Sequence, residues 1–297
     1  MQSLLVTGEM RSGTTFIANF LNSQDNAIVY ADMLVRLFME AHALNIQEIN
    51  QKLSTQQKNI LLSNLIQEGK LHHLDFSGID RDRDLTWLDL FHEGLSIIQG
   101  DDIASLVGVK RTREEDYLSQ LMSAGTKVIY CVRDPRDVVI SAKNRFAGFD
   151  LFNSAENWQK SVRSALSHKQ NANFLIVRFE DLILKKQETA DRLSSFLGLP
   201  IKVDFEEFHY GRDRKYRDNS SFGDVKKLFD PSATYRWKSQ QDHASIHFVE
   251  RLLSWEMAAL DYETQGRLEE SSSLWKAYKR EKFKKALLQP IKRIYRR

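Results

Sequence analysis

The chain opens on an apolar run, Leu4-Leu5-Val6, that ends at Gly8. This is the pattern of a buried parallel strand feeding a turn. From Ser12 to Leu21 the period changes, because Phe16, Ile17, Phe20 and Leu21 recur at helical spacing. The turn therefore opens a helix. Short runs rich in β-branched residues return at Ile28–Tyr30, Ser105–Lys110, Lys127–Val132 and Phe174–Val177, each read as a core strand. Between Ile28–Tyr30 and Ser105–Lys110, over about residues 33–99, helical patterns alternate with polar breaks. Leu34, Leu37, Phe38 and Ala41 share one face, and Ile60, Leu61 and Leu65 follow, so the block reads as a helical insertion. Pro135 starts another helix, running through about Phe146, because its fixed φ suits a first turn. Glu188–Leu197 is an amphipathic helix closed by Gly198 and Pro200.

Strands alternating with helices predict an α/β fold around a mainly parallel sheet. No repeat or low-complexity linker interrupts it, so residues 1–275 read as one domain. Residues 209–235 are charged and rich in Gly, Asn and Ser without a period, which predicts a mobile segment. Residues 276–297 form a basic tail in which Phe283, Leu287, Leu288, Ile291 and Ile294 stand between the charges. Two readings of the tail stay open, a solvated terminal helix packed on the domain and a peripheral contact with an anionic membrane.

Composition narrows the function classes. A chain of 297 residues with 42% hydrophobic and 28% charged residues is that of an ordinary globular protein. A net charge of +3 is too small to predict a nucleic-acid partner. Cys131 is the only cysteine, so no intramolecular disulfide and no thiolate metal cluster can form. The histidines show no metal-ligand spacing, so no metal is expected. No signal-peptide pattern is present and no run reaches the roughly 18 apolar residues of a membrane span, so a cytoplasmic protein is expected.

The candidate chemistry starts at Gly8-Glu9-Met10-Arg11-Ser12-Gly13-Thr14-Thr15, which has the spacing of a phosphate-binding loop. Glycines let the backbone wrap an anion, and N–H groups at a helix start point toward it. A loop that holds nucleoside triphosphates carries Lys after its second Gly. Here that position is Thr14, and a cation stands upstream at Arg11. Such a loop suits an oxyanion better than ATP hydrolysis. A small-molecule kinase therefore remains only an alternative.

Arg11-Ser12-Gly13-Thr14-Thr15-Phe16, directly after a first strand, resembles the 5′-phosphosulfate loop of sulfotransferases that use 3′-phosphoadenosine-5′-phosphosulfate (PAPS). Lys127–Phe146 resembles the same family's 3′-phosphate segment, a strand, then Arg-x-Pro-Arg-Asp, then a helix carrying a serine. Val177–Leu182 with Phe196-Leu197-Gly198 is similar to its later strand–turn–helix unit, and Tyr235-Arg236-Trp237-Lys238 to its C-terminal basic–Trp element. The likeness covers most of residues 4–240, but not the helical insertion or the tail. It implies a three-layer fold of the P-loop type, PAPS as donor and adenosine 3′,5′-bisphosphate (PAP) as product. It assigns Arg11, Ser12, Gly13, Thr14, Thr15 and Phe16 to the phosphosulfate, Arg133 and Ser141 to the 3′-phosphate, and Arg236 and Lys238 to the cofactor's surroundings. Trp237 is expected to pack, and Arg136 and Asp137 to stabilise the helix start.

The resemblance also bears on catalysis. The branch acting on phenols and steroids carries a histidine base in a Lys-x-His element, whereas Lys110-Arg111-Thr112 places Thr112 there. The chain therefore resembles the bacterial, carbohydrate and protein-tyrosine branches more. In the protein-tyrosine and several glycan-directed branches a carboxylate after the first helix is the base, and the matching residue is Asp32. Asp32 is equally suited to capping a helix over Met33–Ala41. Lys110 is the candidate for stabilising the leaving phosphate. The expected reaction is sulfuryl transfer to a hydroxyl, on a carbohydrate or glycolipid acceptor. A catalytically silent domain that binds PAP is the other alternative.

Overall fold

The computed structural model describes residues 1–204, 209–210, 214–215, 229–266 and 272–294. The chain divides into two compact units, Met1–Arg133 with Ser161–Pro231, and Asp134–Lys160 with Ser232–Arg297. Most of the segment at 209–235, read from sequence as mobile, lies outside the described residues. No helix among the described residues is long and apolar enough to cross a membrane.

The first unit is built on a five-stranded sheet, β1 (Gln2–Thr7), β2 (Ala27–Ala31), β3 (Leu106–Lys110), β4 (Lys127–Val132) and β5 (Phe174–Arg178), in the order β2-β3-β1-β4-β5. Every pairing is parallel. That is why the strands read as continuous apolar runs instead of alternating ones: Leu4, Leu5, Val6, Val128 and Ile129 are all fully buried. A parallel order with β1 at its centre sends the chain first to one side of β1 and later to the other. Loops leaving neighbouring strand ends part at such a switch point, where α/β sheets place their ligands.

Helix α1 (Thr14–Asn22) joins β1 to β2, and α2 (Val35–Ala43), α3 (Thr55–His72) and α4 (Trp87–Gln99) lie between β2 and β3. Capping boxes at Ser54/Gln57 and Thr86/Asp89 start α3 and α4. Helix α2 starts differently, and later than the apolar pattern predicts. Asp32 and Leu34 both adopt positive φ (61° and 56°), which displaces Asp32 from the cap position. The N–H groups of Val35 and Arg36 instead donate to the buried carboxylate of Glu68 on α3, at 2.8 and 3.0 Å. The capping role considered for Asp32 is thus filled from another helix. Phe38, Trp87, Phe91 and Tyr117 pack together here, with Trp87 stacked on Tyr117 at 5.5 Å between centroids. The rest of the first unit includes α5 (Leu118–Ser123), α8 (Phe179–Leu184) and α9 (Lys186–Leu197).

The second unit contains α6 (Pro135–Arg145), most of α7 (Leu151–Ser167), α10 (His243–Ala259) and α11 (Ser272–Ile294). Asp134 caps α6 by accepting from Arg136 N at 2.9 Å, with Pro135 in the first turn. The Arg136 guanidinium is buried between Asp134 (2.7 Å) and Glu250 (2.6 Å). Burial works against its charge, but the two carboxylates outweigh burial and hold its pKa above the ordinary arginine value.

Candidate active site

The C-terminal ends of β2, β3, β1 and β4 lie side by side, and each hands the chain to a residue singled out above. In register, Ala31 pairs with Lys110 and Val6 pairs with Lys110 from the other side, while Thr7 pairs with Tyr130. Asp32, Lys110, the Gly8–Gly13 loop and Arg133 therefore follow four adjacent strands, spread over about 15 Å at the usual strand spacing.

The loop is shaped by two glycines. Gly8 has φ 146°, and a Cβ there would lie 2.2 Å from the carbonyl oxygen of Cys131 on β4. Gly13 has φ 88°, and a Cβ there would lie 2.3 Å from the ring of Phe179. Arg11 between them is also at positive φ, 69°. Such strain in a non-glycine residue persists only where the surroundings enforce it. Gly13 precedes α1 and, having no side chain, gives the helix no side-chain cap, so the first N–H groups face the loop's concavity with the helix dipole behind them. Among the described residues, Thr7 Oγ1 and Ser12 Oγ are buried without a hydrogen-bond partner, a costly arrangement that a bound oxyanion would relieve. Below the loop, the buried Cys131 thiol donates to the Ser12 carbonyl at 2.9 Å. Burial pushes that thiol far above its ordinary pKa, so it acts as a neutral donor.

Two supports were not visible in the sequence. Glu9, inside the loop, is buried and accepts from Arg113 Nε at 2.8 and 3.0 Å, and Met10 N donates to it at 3.0 Å. Burial raises the Glu9 pKa, and the Arg113 guanidinium offsets only part of that rise. Arg113 N also donates to the Gly8 carbonyl at 3.2 Å, so one residue holds the loop at two points. The second support is Phe179 at the start of α8. Its ring fills the space beside Gly13, lies 4.8 Å beneath the Arg133 guanidinium and meets Phe16 edge-on at 5.9 Å. A single aromatic side chain thereby touches both segments assigned to the cofactor. Phe179 lay within a motif that the sequence did single out, but nothing in that motif announced the contact.

Arg133 is buried, and its Nη1 donates to the Arg11 carbonyl at 3.4 Å. Lys110 Nζ donates to Asp32 Oδ1 at 2.5 Å, the lysine side chain 8% exposed and the aspartate 56%. The two residues proposed for catalysis are therefore an ion pair, buried at one end and open at the other. Beside them, Glu114 is buried and accepts from Arg111 (3.2 Å) and His42 Nε2 (3.0 Å). That bond raises the His42 pKa above its ordinary value.

Ser141, Arg236 and Lys238 belong to the second unit. Ser141 is buried on α6. Arg236 donates through Nε to the Ser232 carbonyl at 2.8 Å, and Lys238 Nζ sits 4.9 Å over the Tyr235 ring. Trp237 is buried with the Arg136 guanidinium 3.6 Å from its ring centroid, and its backbone N–H donates to Asp137 Oδ1 at 2.9 Å.

A family model described as "Sulfotransferase family" matches residues 3–203. The chain belongs to the sulfotransferase family. Among curated relatives of this sulfotransferase, the 3-alpha- and 3-beta-hydroxysteroid sulfotransferases of Cavia porcellus are each 29% identical over 97 residues, 27% of this chain and 34% of theirs. The match thus spans about a third of those relatives' length. A solved sulfotransferase domain from the Synechococcus PCC 7002 olefin synthase overlaps with a TM-score of 0.59 at 16% identity, over 89% of this chain and 96% of that one. A second, from the curacin biosynthetic pathway, overlaps with a TM-score of 0.56 at 17% identity, over 89% and 99%. At these identities the two structures speak for the α/β fold.

Proposed function

We propose that this sulfotransferase moves the sulfuryl group of PAPS to an acceptor hydroxyl, leaving a sulfate ester and PAP. The loop carries the reading. It wraps on two glycines at positive φ, presents the buried, unpartnered Ser12 hydroxyl, and has Thr14 where a triphosphate loop needs lysine. These are the groups an oxyanion requires, so the residues present fit the donor. Bound there, PAPS supplies an electrophilic sulfur whose leaving group is a phosphate oxygen. Arg11, Ser12, Gly13, Thr14 and Thr15 would hold the 5′ oxyanions, with Phe16 beside them. Arg133 and Ser141 would hold the 3′-phosphate, with Arg236 and Lys238 as further cations.

Lys110 would stabilise negative charge growing on the leaving oxygen, and Asp32 would take the proton of the acceptor hydroxyl. Because Asp32 Oδ1 is bound to Lys110 Nζ, the two roles are linked. An acceptor hydroxyl that replaces the ammonium on Asp32 would free Lys110 for the leaving oxygen. Thr112 at the position of the phenol and steroid base supports a carbohydrate or glycolipid acceptor.

Calorimetric titration with PAP and with ATP tests the donor, and a preference for ATP overturns the reading. Asp32→Asn should abolish turnover while PAP affinity stays near that of the parent; unchanged turnover removes Asp32 as the base. A screen with labelled PAPS tests the acceptor class, and efficient labelling of steroids but not glycans rejects the carbohydrate assignment.

A further inference from the structure

Helix α11 (Ser272–Ile294) has two sides that face different surroundings. Its inner side is docked within the second unit. Trp275 and Tyr278 pack on Phe248 of α10 at 6.2 and 5.5 Å between centroids, Tyr278 meets Phe152 of α7 at 5.4 Å, and Lys282 pairs with Glu156 at 2.8 Å. Spacings of three, four and seven residues put 275, 278 and 282 on one stripe. On the opposite side, Lys276, Arg280, Phe283 and Lys284 are exposed, Phe283 to 66%. In the sequence, Leu287, Ile291 and Ile294 follow Phe283 at intervals of four, four and three residues. The helix carries eight Lys or Arg against the single acidic Glu281. The docked stripe already satisfies α11 as a structural helix, so the second stripe is not needed to hold it in place.

We infer that the outward face of α11 is a peripheral anchor that rests on an anionic lipid bilayer. An apolar stripe flanked by lysines and arginines, at low overall hydropathy, is what the interface of such a bilayer accommodates. The rings and aliphatic chains enter the headgroup boundary while the cations meet the lipid phosphates. Charge decides between occupants: an apolar partner helix docking beside Phe283 would leave the exposed Lys276, Arg280 and Lys284 without counter-charge, whereas an anionic surface neutralises them. The inference stands apart from the sulfuryl-transfer reading, since neither the loop nor Asp32 enters it.

Flotation of the full chain with vesicles tests it. Binding is expected to vesicles of phosphatidylcholine with about a third phosphatidylglycerol, and to fall steeply as salt is raised. Vesicles of phosphatidylcholine alone should bind at least tenfold less. Each interfacial cation contributes roughly fivefold, so the exposed triple variant Lys276→Gln/Arg280→Gln/Lys284→Gln should weaken partitioning roughly a hundredfold. Phe283→Ser should weaken it several-fold through lost apolar contact. Far-UV circular dichroism and PAP affinity should match the parent in both variants. Equal partitioning to neutral and anionic vesicles overturns the inference, as does a triple variant that floats like the parent. So does tighter binding to duplex DNA than to anionic vesicles at the same salt, which would assign the basic face to a nucleic acid.

Discussion

Gly8→Ala is the most demanding test of how the loop is built. The added Cβ would stand 2.2 Å from the Cys131 carbonyl oxygen, 3.2 Å from its carbon and 3.3 Å from Thr14 Cγ2. Opening the first approach to an ordinary 3.4 Å contact moves one partner by about 1.2 Å. Cys131 cannot supply that movement, because β4 is paired on both sides, to β1 and to β5. The loop must move, against a backbone whose φ of 146° already disfavours an L side chain. Strain of about 1–3 kcal/mol for the backbone and a similar amount for the overlap sum to roughly 2–6 kcal/mol. For a unit of this size that lowers Tm by about 4–24 °C, read by calorimetry. The same displacement misaims the N–H groups at the start of α1. Losing one charge-assisted hydrogen bond, worth about 1.5–3 kcal/mol, weakens PAP binding at least about tenfold. Gly148→Ala, where a Cβ meets nothing within 4 Å, should leave both readouts unchanged. A Gly8→Ala protein with the parent Tm and the parent PAP affinity would refute the reasoning.

Other expectations follow from the same geometry. Phe179→Ala should lose about 3–5 kcal/mol as a buried phenylalanine, and should also weaken PAP binding, because Gly13 and Arg133 lean on its ring. Phe179→Leu should recover most of the stability but less of the affinity, and a full recovery of both would dismiss the ring's contact with Arg133. Arg133→Ala should raise the Kd for PAP by tenfold or more while adenosine 5′-phosphosulfate binding changes less; equal losses would mean that Arg133 does not read the 3′-phosphate. His42 should titrate above its ordinary 6.5 by NMR, and Glu114→Gln should bring it back down. A raised pKa means that this contact stabilises the fold below the unfolded value and is lost as pH rises through the folded one, so the parent's advantage over Glu114→Gln should shrink with rising pH across that window.

The strands were legible because a sheet buried on both faces writes itself as short apolar runs, and Leu4–Val6 and Val128–Val132 have no other reading. The loop was legible because glycine spacing is a local signal. What escaped was long-range pairing between charged residues. Nothing periodic links Glu9 to Arg113, which is 104 positions away, or Glu68 to the N–H groups of α2. The cap reading of Asp32 failed for a related reason. Its sequence context is that of a helix cap, but two residues at positive φ re-aim the chain. The carboxylate then meets Lys110 instead of the helix N–H groups.

The loop itself also departs from a triphosphate loop, because its lysine is missing. A triphosphate loop places its cation inside the anion cradle. Here that position is Thr14, the loop's own cation is Arg11, and two further cations stand on the neighbouring strand ends, Lys110 closing β3 and Arg133 after β4. Cations on opposite sides of the loop suit a donor with two separate anionic groups better than a linear chain of phosphates. Only Lys110 also touches a candidate base. Moving the cation inward by Thr14→Lys, with Lys110→Met, should not create a kinase, because the strand-end cation Arg133 is left in place after β4. It should instead abolish sulfuryl transfer while leaving binding at the 3′ end measurable with PAP. Appearance of ATP hydrolysis in that double variant would show that the loop alone, and not the strand-end cations, sets the donor.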